Sequence, residues 1–108
     1  MTNQRHVWVV YNDHRKNMSS AEQFGVLKDV FSSIGKVYNG PALIAHARST
    51  LSAWTPGDSL LMVGDPTLCA ICLAVALEQC EKVQLLRWDR NSFNYVPLEL
   101  DFEYDYNN

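Results

Sequence analysis

The chain has 108 residues, which is enough for one domain with a hydrophobic core but too few for two. Hydrophobic residues make up 47% and charged residues 19%, without a low-complexity run, which is typical of a globular protein and excludes a disordered one. The formal net charge of -3 gives no bulk attraction to phosphate backbones, so we expect no general nucleic-acid binding.

The first predicted element is a buried strand from His6 to Tyr11, because β-branched and aromatic residues fill this stretch. It runs into a polar loop, Asn12 to Asn17. Within this loop stand a possible acid-base pair and two cations: Asp13, His14, Arg15 and Lys16. These four are candidates for binding a phosphate or a nucleotide. Neither standard glycine-rich phosphate loop is present, and a solvated loop is the simpler explanation.

The next segment is predicted to be a helix that begins with a capping-box pattern within residues 19–23 and ends at Gly35. Apolar residues recur in it at helical spacing: Phe24, Leu27, Val30, Phe31 and Ile34. Gly25 costs about 1 kcal/mol relative to alanine inside a helix, so we expect it to permit the close approach of another element. Lys36 to Tyr38 is predicted to form a short edge strand.

A second helix is predicted to open at Pro41, after an Asn39-Gly40 turn, and to be broken by residues 55–58. One of its faces is apolar: Leu43, Ala47, Leu51 and Trp54. It leads into a short apolar strand, Ser59 to Val63.

The following helix, Pro66 to Cys80, is apolar nearly all round, which predicts enclosure on most sides, and it is too short to span a bilayer. Asp65 occupies the N-cap position and Pro66 the first helical position. A strand from Lys82 to Asp89 follows, and a right-handed crossover would make it parallel to the preceding strand. Asp65 and Thr67 are further ligand candidates, although its role as the N-cap is the simpler explanation for Asp65.

The chain ends in a predicted hairpin, because Val96, Leu98, Leu100 and Phe102 alternate with polar residues. Pro97 favours an edge strand, paired antiparallel with the preceding one. An open edge invites self-pairing or a covering partner, so a homodimer is one expectation. The candidates for an interface are the aromatic residues and the arginine around the turn: Trp88, Arg90, Phe93 and Tyr95. We expect residues 103–108 to form a frayed acidic tail.

Together these elements predict a single α/β domain over residues 1–108, with three layers and a mostly parallel, flavodoxin-like or Rossmann-like sheet. The expected strand order is 2-1-3-4-5, with the last strand antiparallel. Ligands of such sheets bind outside the carboxyl ends of the strands. The six ligand candidates lie in loops at that edge: Asp13, His14, Arg15, Lys16, Asp65 and Thr67.

Cys69 and Cys72 form a C-x-x-C motif, which in a βαβ context suggests a redox pair. A redox pair has its first cysteine at the exposed start of the helix, whereas these two lie inside it among apolar residues. Small core side chains are therefore the better interpretation. Cys80 and the scattered histidines do not complete a zinc set, so we expect no metal and no cofactor.

Three motifs, SAEQFG at 20–25, GDP at 64–66 and LRWDR at 86–90, together with Tyr95 and Pro97, resemble a family of short bacteriophage-encoded proteins with no established activity. The resemblance implies a phage protein that acts in the cytoplasm of a bacterial host. It favours a non-enzymatic accessory protein that binds a host or phage protein. The alternative is a small nucleotide- or phosphate-ester-binding enzyme with its site at the carboxyl edge of the sheet.

Overall fold

A computed structural model describes residues 4–12, 17–32 and 39–103. The described chain alternates strands and helices around one sheet. The strands are β1 (His6–Tyr11), β2 (Val26–Phe31), β3 (Ser59–Leu61), β4 (Lys82–Asp89) and β5 (Asn94–Asp101). The helices are α1 (Gly40–Leu51), α2 (Pro66–Leu77) and a 3-10 helix (Ser19–Phe24).

The sheet has the order β2-β1-β3-β4-β5. Strands β1 to β4 are parallel, and β5 is antiparallel to β4. The predicted α/β class and C-terminal antiparallel hairpin are therefore confirmed. The observed order has the predicted form 2-1-3-4-5, but its second strand is Val26–Phe31 and not the predicted segment 36–38. The pairing of β4 with β5 runs from Lys82 opposite Asp101 to Asp89 opposite Asn94, and it is the longest in the sheet.

The helix predicted from the capping box to Gly35 is wrong. Residues 19–24 form the 3-10 helix, and residues 26–31 form β2, which pairs along β1. Gly25 separates them with φ 151°, and a Cβ there would lie 2.6 Å from the carbonyl oxygen of Arg5. The close approach expected of Gly25 is thus confirmed, and the neighbouring backbone is that of Arg5, immediately before β1. The predicted edge strand at 36–38 lies outside the described residues.

The helix start predicted at Pro66 is confirmed, and the helix predicted to open at Pro41 begins one residue earlier, at Gly40. Capping hydrogen bonds fix both starts. The Ala42 amide donates to Asn39 Oδ1 over 3.1 Å, and the Thr67 amide donates to Asp65 Oδ1 over 2.6 Å. Helix α1 buries the predicted residues Leu43, Ala47 and Leu51. Helix α2 differs from the expectation: it buries only Leu68, Cys72, Val75 and Ala76, because it packs on the sheet from outside and leaves its far side exposed.

The two α-helices lie on the same face of the sheet. Their buried residues form one cluster with Trp8 and Val10 of β1, whereas Val7 and Val9 join a second cluster on the opposite face. That opposite face is covered, within the described ranges, by the 3-10 helix, which contributes Ala21. The three-layer, flavodoxin-like or Rossmann-like part of the prediction is therefore not confirmed.

The amino ends of β1 and β3 are joined by the buried carboxylate of Asp58. Its Oδ1 accepts hydrogen bonds from the His6 amide and the Thr55 hydroxyl, and its Oδ2 accepts from Trp8 Nε1 and the Thr55 amide, each at 2.9 Å. Burial opposes ionisation of Asp58, but the hydrogen bonds to its charged form outweigh burial and lower its pKa. The carboxylate therefore stabilises the fold in its charged form.

We expect Asp58→Asn to lower the free energy of unfolding at neutral pH by about 2–4 kcal/mol, because the amide nitrogen would face another donor. Since the pKa of Asp58 is lowered by folding, its contribution is present above the unfolded pKa and disappears as the pH falls below about 4. Denaturant unfolding of both proteins across this pH range measures the effect.

The difference between the wild type and the variant isolates Asp58, because Glu78 and Asp89 also have lowered pKa values. Glu22→Gln is a suitable control, since it removes an exposed carboxylate. If the free energies of unfolding of the wild type and Asp58→Asn differ by the same amount at every pH, the role assigned to the charged form of Asp58 is contradicted.

Candidate functional site

A cleft of about 400 Å³ opens at the carboxyl ends of β3 and β4. It is lined by Asn17, Met62, Val63, Trp88 and Tyr95. We call it the carboxyl-edge cleft. It lies at the edge where ligands of parallel α/β sheets bind, and its volume falls within the range of small-molecule sites. Its walls come from three separate parts of the chain, which the sheet brings together.

Two aromatic rings form one wall of the carboxyl-edge cleft. Trp88 and Tyr95 are directly opposite each other in the β4-β5 ladder, and their rings meet edge to face with centroids 5.1 Å apart. The Trp88 side chain is 46% exposed, whereas Tyr95 is 5% exposed. A buried ring thus supports an accessible indole at the mouth of the cleft.

The cleft also holds two polar groups. Among the described residues, no group hydrogen-bonds the Tyr95 hydroxyl, and burial raises the pKa of Tyr95. Asn17 uses its Oδ1 to accept from the Ser19 amide over 3.0 Å, and within the same ranges its Nδ2 has no acceptor. The cleft therefore offers a hydroxyl and an amide donor against apolar walls.

A second feature is a group of exposed large apolar side chains on the hairpin, which we call the hairpin surface. It comprises Trp88, Phe93, Val96, Leu98 and Phe102. Val96 and Leu98 lie on the helix side of β5, since they are opposite Arg87 and Leu85 in the ladder, yet they remain exposed. Leu100 of the same predicted apolar face does pack against the core. The cover given by the helices therefore ends before the edge strand.

The open edge of β5 is poorly suited to strand pairing. The Phe102 amide donates to the Glu81 carbonyl, so by alternation the backbones of residues 95, 97, 99 and 101 face outward. Pro97 has no N–H there, and the Tyr95 amide donates to Asn94 Oδ1 over 2.9 Å. The two remaining outward positions carry the acidic side chains Glu99 and Asp101. Such an edge discourages addition of another strand.

The structure describes only two of the six predicted ligand residues, Asp65 and Thr67. Asp13, His14, Arg15 and Lys16 lie outside the described residues. Asp65 and Thr67 are exposed in the first turn of α2, where Asp65 caps the helix, and neither lines the carboxyl-edge cleft.

The predicted interface residues surround the hairpin turn. Trp88, Arg90 and Phe93 are exposed, and Tyr95 is buried against the 3-10 helix side of the sheet. Sequence reasoning missed Asn17, Met62 and Val63 as lining residues. Only their positions just after β1 and β3 could have indicated them.

A further cavity, of about 520 Å³, opens at the opposite, amino edge of the sheet beside Trp54 and Asp58. Both oxygens of Asp58 are already occupied by protein donors. His6 Nδ1, 3.6 Å from Asp58 Oδ2, is enclosed without a hydrogen-bond partner in the described part of the chain. This edge therefore carries a structural network.

The cysteines have a structural environment. Cys72 is fully buried, and burial, with a smaller effect of neighbouring Cys69, raises its pKa to about 12. Burial also raises the pKa of Cys80. Since the thiolate is the reactive form, Cys72 is a poor nucleophile. The described ranges contain no cluster of three or more His, Cys, Asp or Glu side chains that could hold a metal ion.

Comparison with known proteins identifies the chain. The model of a phage protein family, described as the phage Pam3 gp32-like protein, matches residues 4–102. The chain belongs to this family. No curated protein and no solved structure matches it. The predicted resemblance to a family of phage proteins is confirmed, and the family covers all strands and helices described above. Neither α-helix of the described chain has the length and hydrophobicity needed to cross a membrane.

We expect Cys72 of the native protein to resist alkylation by iodoacetamide at a mildly alkaline pH. The rise in pKa from 9.0 to about 12 reduces its thiolate fraction roughly a thousandfold. Peptide mass spectrometry after timed labelling measures the rate, and the same protein in denaturant is the control. Rapid native labelling of both Cys69 and Cys72 would restore the redox interpretation.

Proposed function

We propose that this member of the Pam3 gp32-like family is a phage-encoded, non-enzymatic accessory protein that binds a host or phage protein through its hairpin surface. The proposed place of action is the cytoplasm of the bacterial host. The hairpin surface carries the proposal, because five of the six large apolar side chains found exposed in the described residues lie on it.

The distribution of these side chains supports an interaction role. Scattered exposed apolar residues are ordinary on soluble proteins, but these five are concentrated on one hairpin, with Val96 and Leu98 on its helix side and Trp88 on the opposite side. Phe93, at the hairpin turn, is 77% exposed and contributes nothing to either core cluster. Trp88 is half exposed, and two arginines lie near it in the sequence, Arg87 directly before it and Arg90 two residues after it. Tryptophan and arginine are the side chains most enriched at binding hot spots.

The nature of the β5 edge limits how the partner can bind. Pro97 and the capped Tyr95 amide leave few donors for an added strand. We therefore propose binding across the faces of the hairpin, and a homodimer would also have to use these faces.

A double variant, Trp88→Ser with Phe93→Ser, tests the proposal. Affinity capture from infected-host lysate should recover a partner with the wild type and lose it with the variant. For the purified partner, truncating two hot-spot side chains should cost about 2 kcal/mol or more, which is roughly a thirtyfold weaker affinity.

Val26→Ser is the matched control, because Val26 is exposed to 42% on β2 at the opposite edge of the sheet. It should leave capture unchanged. Thermal unfolding of all three proteins should agree within about 0.5 kcal/mol, as expected for surface substitutions. No recovered partner, or equal recovery by the double variant, would count against the proposal.

The alternative proposal is a small nucleotide- or phosphate-ester-binding enzyme, which the position of the carboxyl-edge cleft supports. A nucleotide present at a hundred times its dissociation constant should stabilise the protein by about 2.7 kcal/mol. A thermal-shift screen of nucleotides measures this, with Asp13→Ala as the variant expected to abolish the shift. If no nucleotide shifts the melting temperature, the enzyme alternative fails.

A further inference from the structure

Helix α2 is apolar on the side that faces away from its own sheet. None of its residues, Pro66–Leu77, is charged. On its outer side Ala70 and Ala74 are exposed, and Leu73 and Leu77 are half-buried. A helix that is hydrophobic all round is normally enclosed on all sides, because each side gains from leaving water. Within the described residues, the outer side of α2 has no such cover.

The helix side of β5 is uncovered as well. Val96 is 38% exposed there and Leu98 43%. Helix α1 contacts β2 and α2 contacts β4, so α2 is the helix nearer to β5, yet it leaves these two side chains in solvent. Beside α2 the protein therefore presents an apolar strand face of the kind on which helices pack.

The two uncovered faces are complementary to each other. A second copy, related by a two-fold axis parallel to the strands, places each α2 over the other copy's β5, with the two α2 helices side by side between the sheets. The small side chains of Ala70 and Ala74 permit close packing on the strand. The contact is closed and covers both faces of both copies. A single helix from another protein would cover β5 but leave the outer side of α2 exposed.

The charges at one end of this contact are also complementary. Arg87 is exposed at the carboxyl end of β4, on the same side as Val96, and makes no ion pair with a described residue. Asp65 is exposed at the start of α2, and its Oδ2 accepts no hydrogen bond from a described group. In the two-fold arrangement the carboxyl edges of the two sheets coincide, so Arg87 lies beside the partner subunit's Asp65. Such an exposed pair contributes little affinity but favours this orientation.

We infer that the protein forms a two-fold homodimer in which α2 of each copy packs on the helix side of the other copy's β5. The inference goes beyond the proposed function, because Trp88, on the opposite side of the hairpin, and Phe93, at its turn, stay accessible to a different protein.

The size of the contact sets the expected affinity. A helix of 12 residues is about 18 Å long and about 10 Å wide. The outer side of α2, the β5 face and the contact between the two helices then bury on the order of 500 Å² on each copy, which is at the lower end for a specific interface. We therefore expect a dissociation constant in the micromolar range.

Sedimentation velocity of the full-length protein, from low micromolar to millimolar concentration, tests the inference. The mass should rise from one chain to two. Ala74→Glu should weaken dimerisation about a hundredfold or more, because it places an unpaired charge in the contact. Ala45→Glu is the matched control, since it makes the same substitution at an exposed position of α1, and it should dimerise like the wild type.

Isotope-filtered nuclear magnetic resonance on a mixture of labelled and unlabelled copies tests the specific contact. It should show nuclear Overhauser effects between the Ala74 methyl group of one copy and the Leu98 methyl groups of the other. Trp88→Ser with Phe93→Ser should leave the dimer intact.

The mass of a single chain at every concentration, or a dimer that persists in Ala74→Glu, would overturn the inference. If the wild type is monomeric and Ala74→Glu abolishes partner capture, the face binds another protein and the homodimer is wrong. Failure of the proposed function is distinguishable, because it appears as unchanged capture by Trp88→Ser with Phe93→Ser whatever the oligomeric state.

Discussion

The buried carboxylate of Asp58 fixes the amino end of the sheet. Its two oxygens receive four hydrogen bonds from β1 and from the turn that precedes β3. A buried charge is tolerated only when it is well hydrogen-bonded, so these donors and the acceptor require one another. Because β3 is only three residues long, this connection supplements the short pairing that aligns it with β1. The amino edge is thereby committed to structure.

The second constraint is that the sheet is wider than its cover. Helices α1 and α2 pack over one face, and within the described residues only the 3-10 helix packs on the other. On the helix side the cover ends before the middle of β5, so side chains that alternate correctly for a buried strand, such as Val96 and Leu98, become exposed. Val96 and Leu98 of the hairpin surface are thus exposed because α1 and α2 do not cover the full width of the sheet.

The parts of the fold that could be predicted are those with local signals. Asp65 marked the start of α2 because capping depends only on neighbouring residues, and Pro41 indicated the start of α1 to within one residue. The helix predicted over residues 24–31 was wrong because the apolar spacing fits a helix, whereas pairing with β1 makes residues 26–31 a strand. The cleft could not be predicted, since Asn17, Met62 and Trp88 meet only through the strand order.

The tip of the hairpin has a turn fixed by side-chain hydrogen bonds. Asp89 accepts hydrogen bonds from the Asn91 and Ser92 amides and from the Ser92 hydroxyl, which fixes the turn. Phe93 follows with φ 52°, a left-handed conformation that glycine or asparagine adopts at lower cost, and its ring stays in solvent. A strained, exposed aromatic residue gains nothing for stability from its position. A fixed turn, however, reduces the entropy lost on binding, so this arrangement would suit the proposed role of Phe93 and Trp88 in contacting a partner.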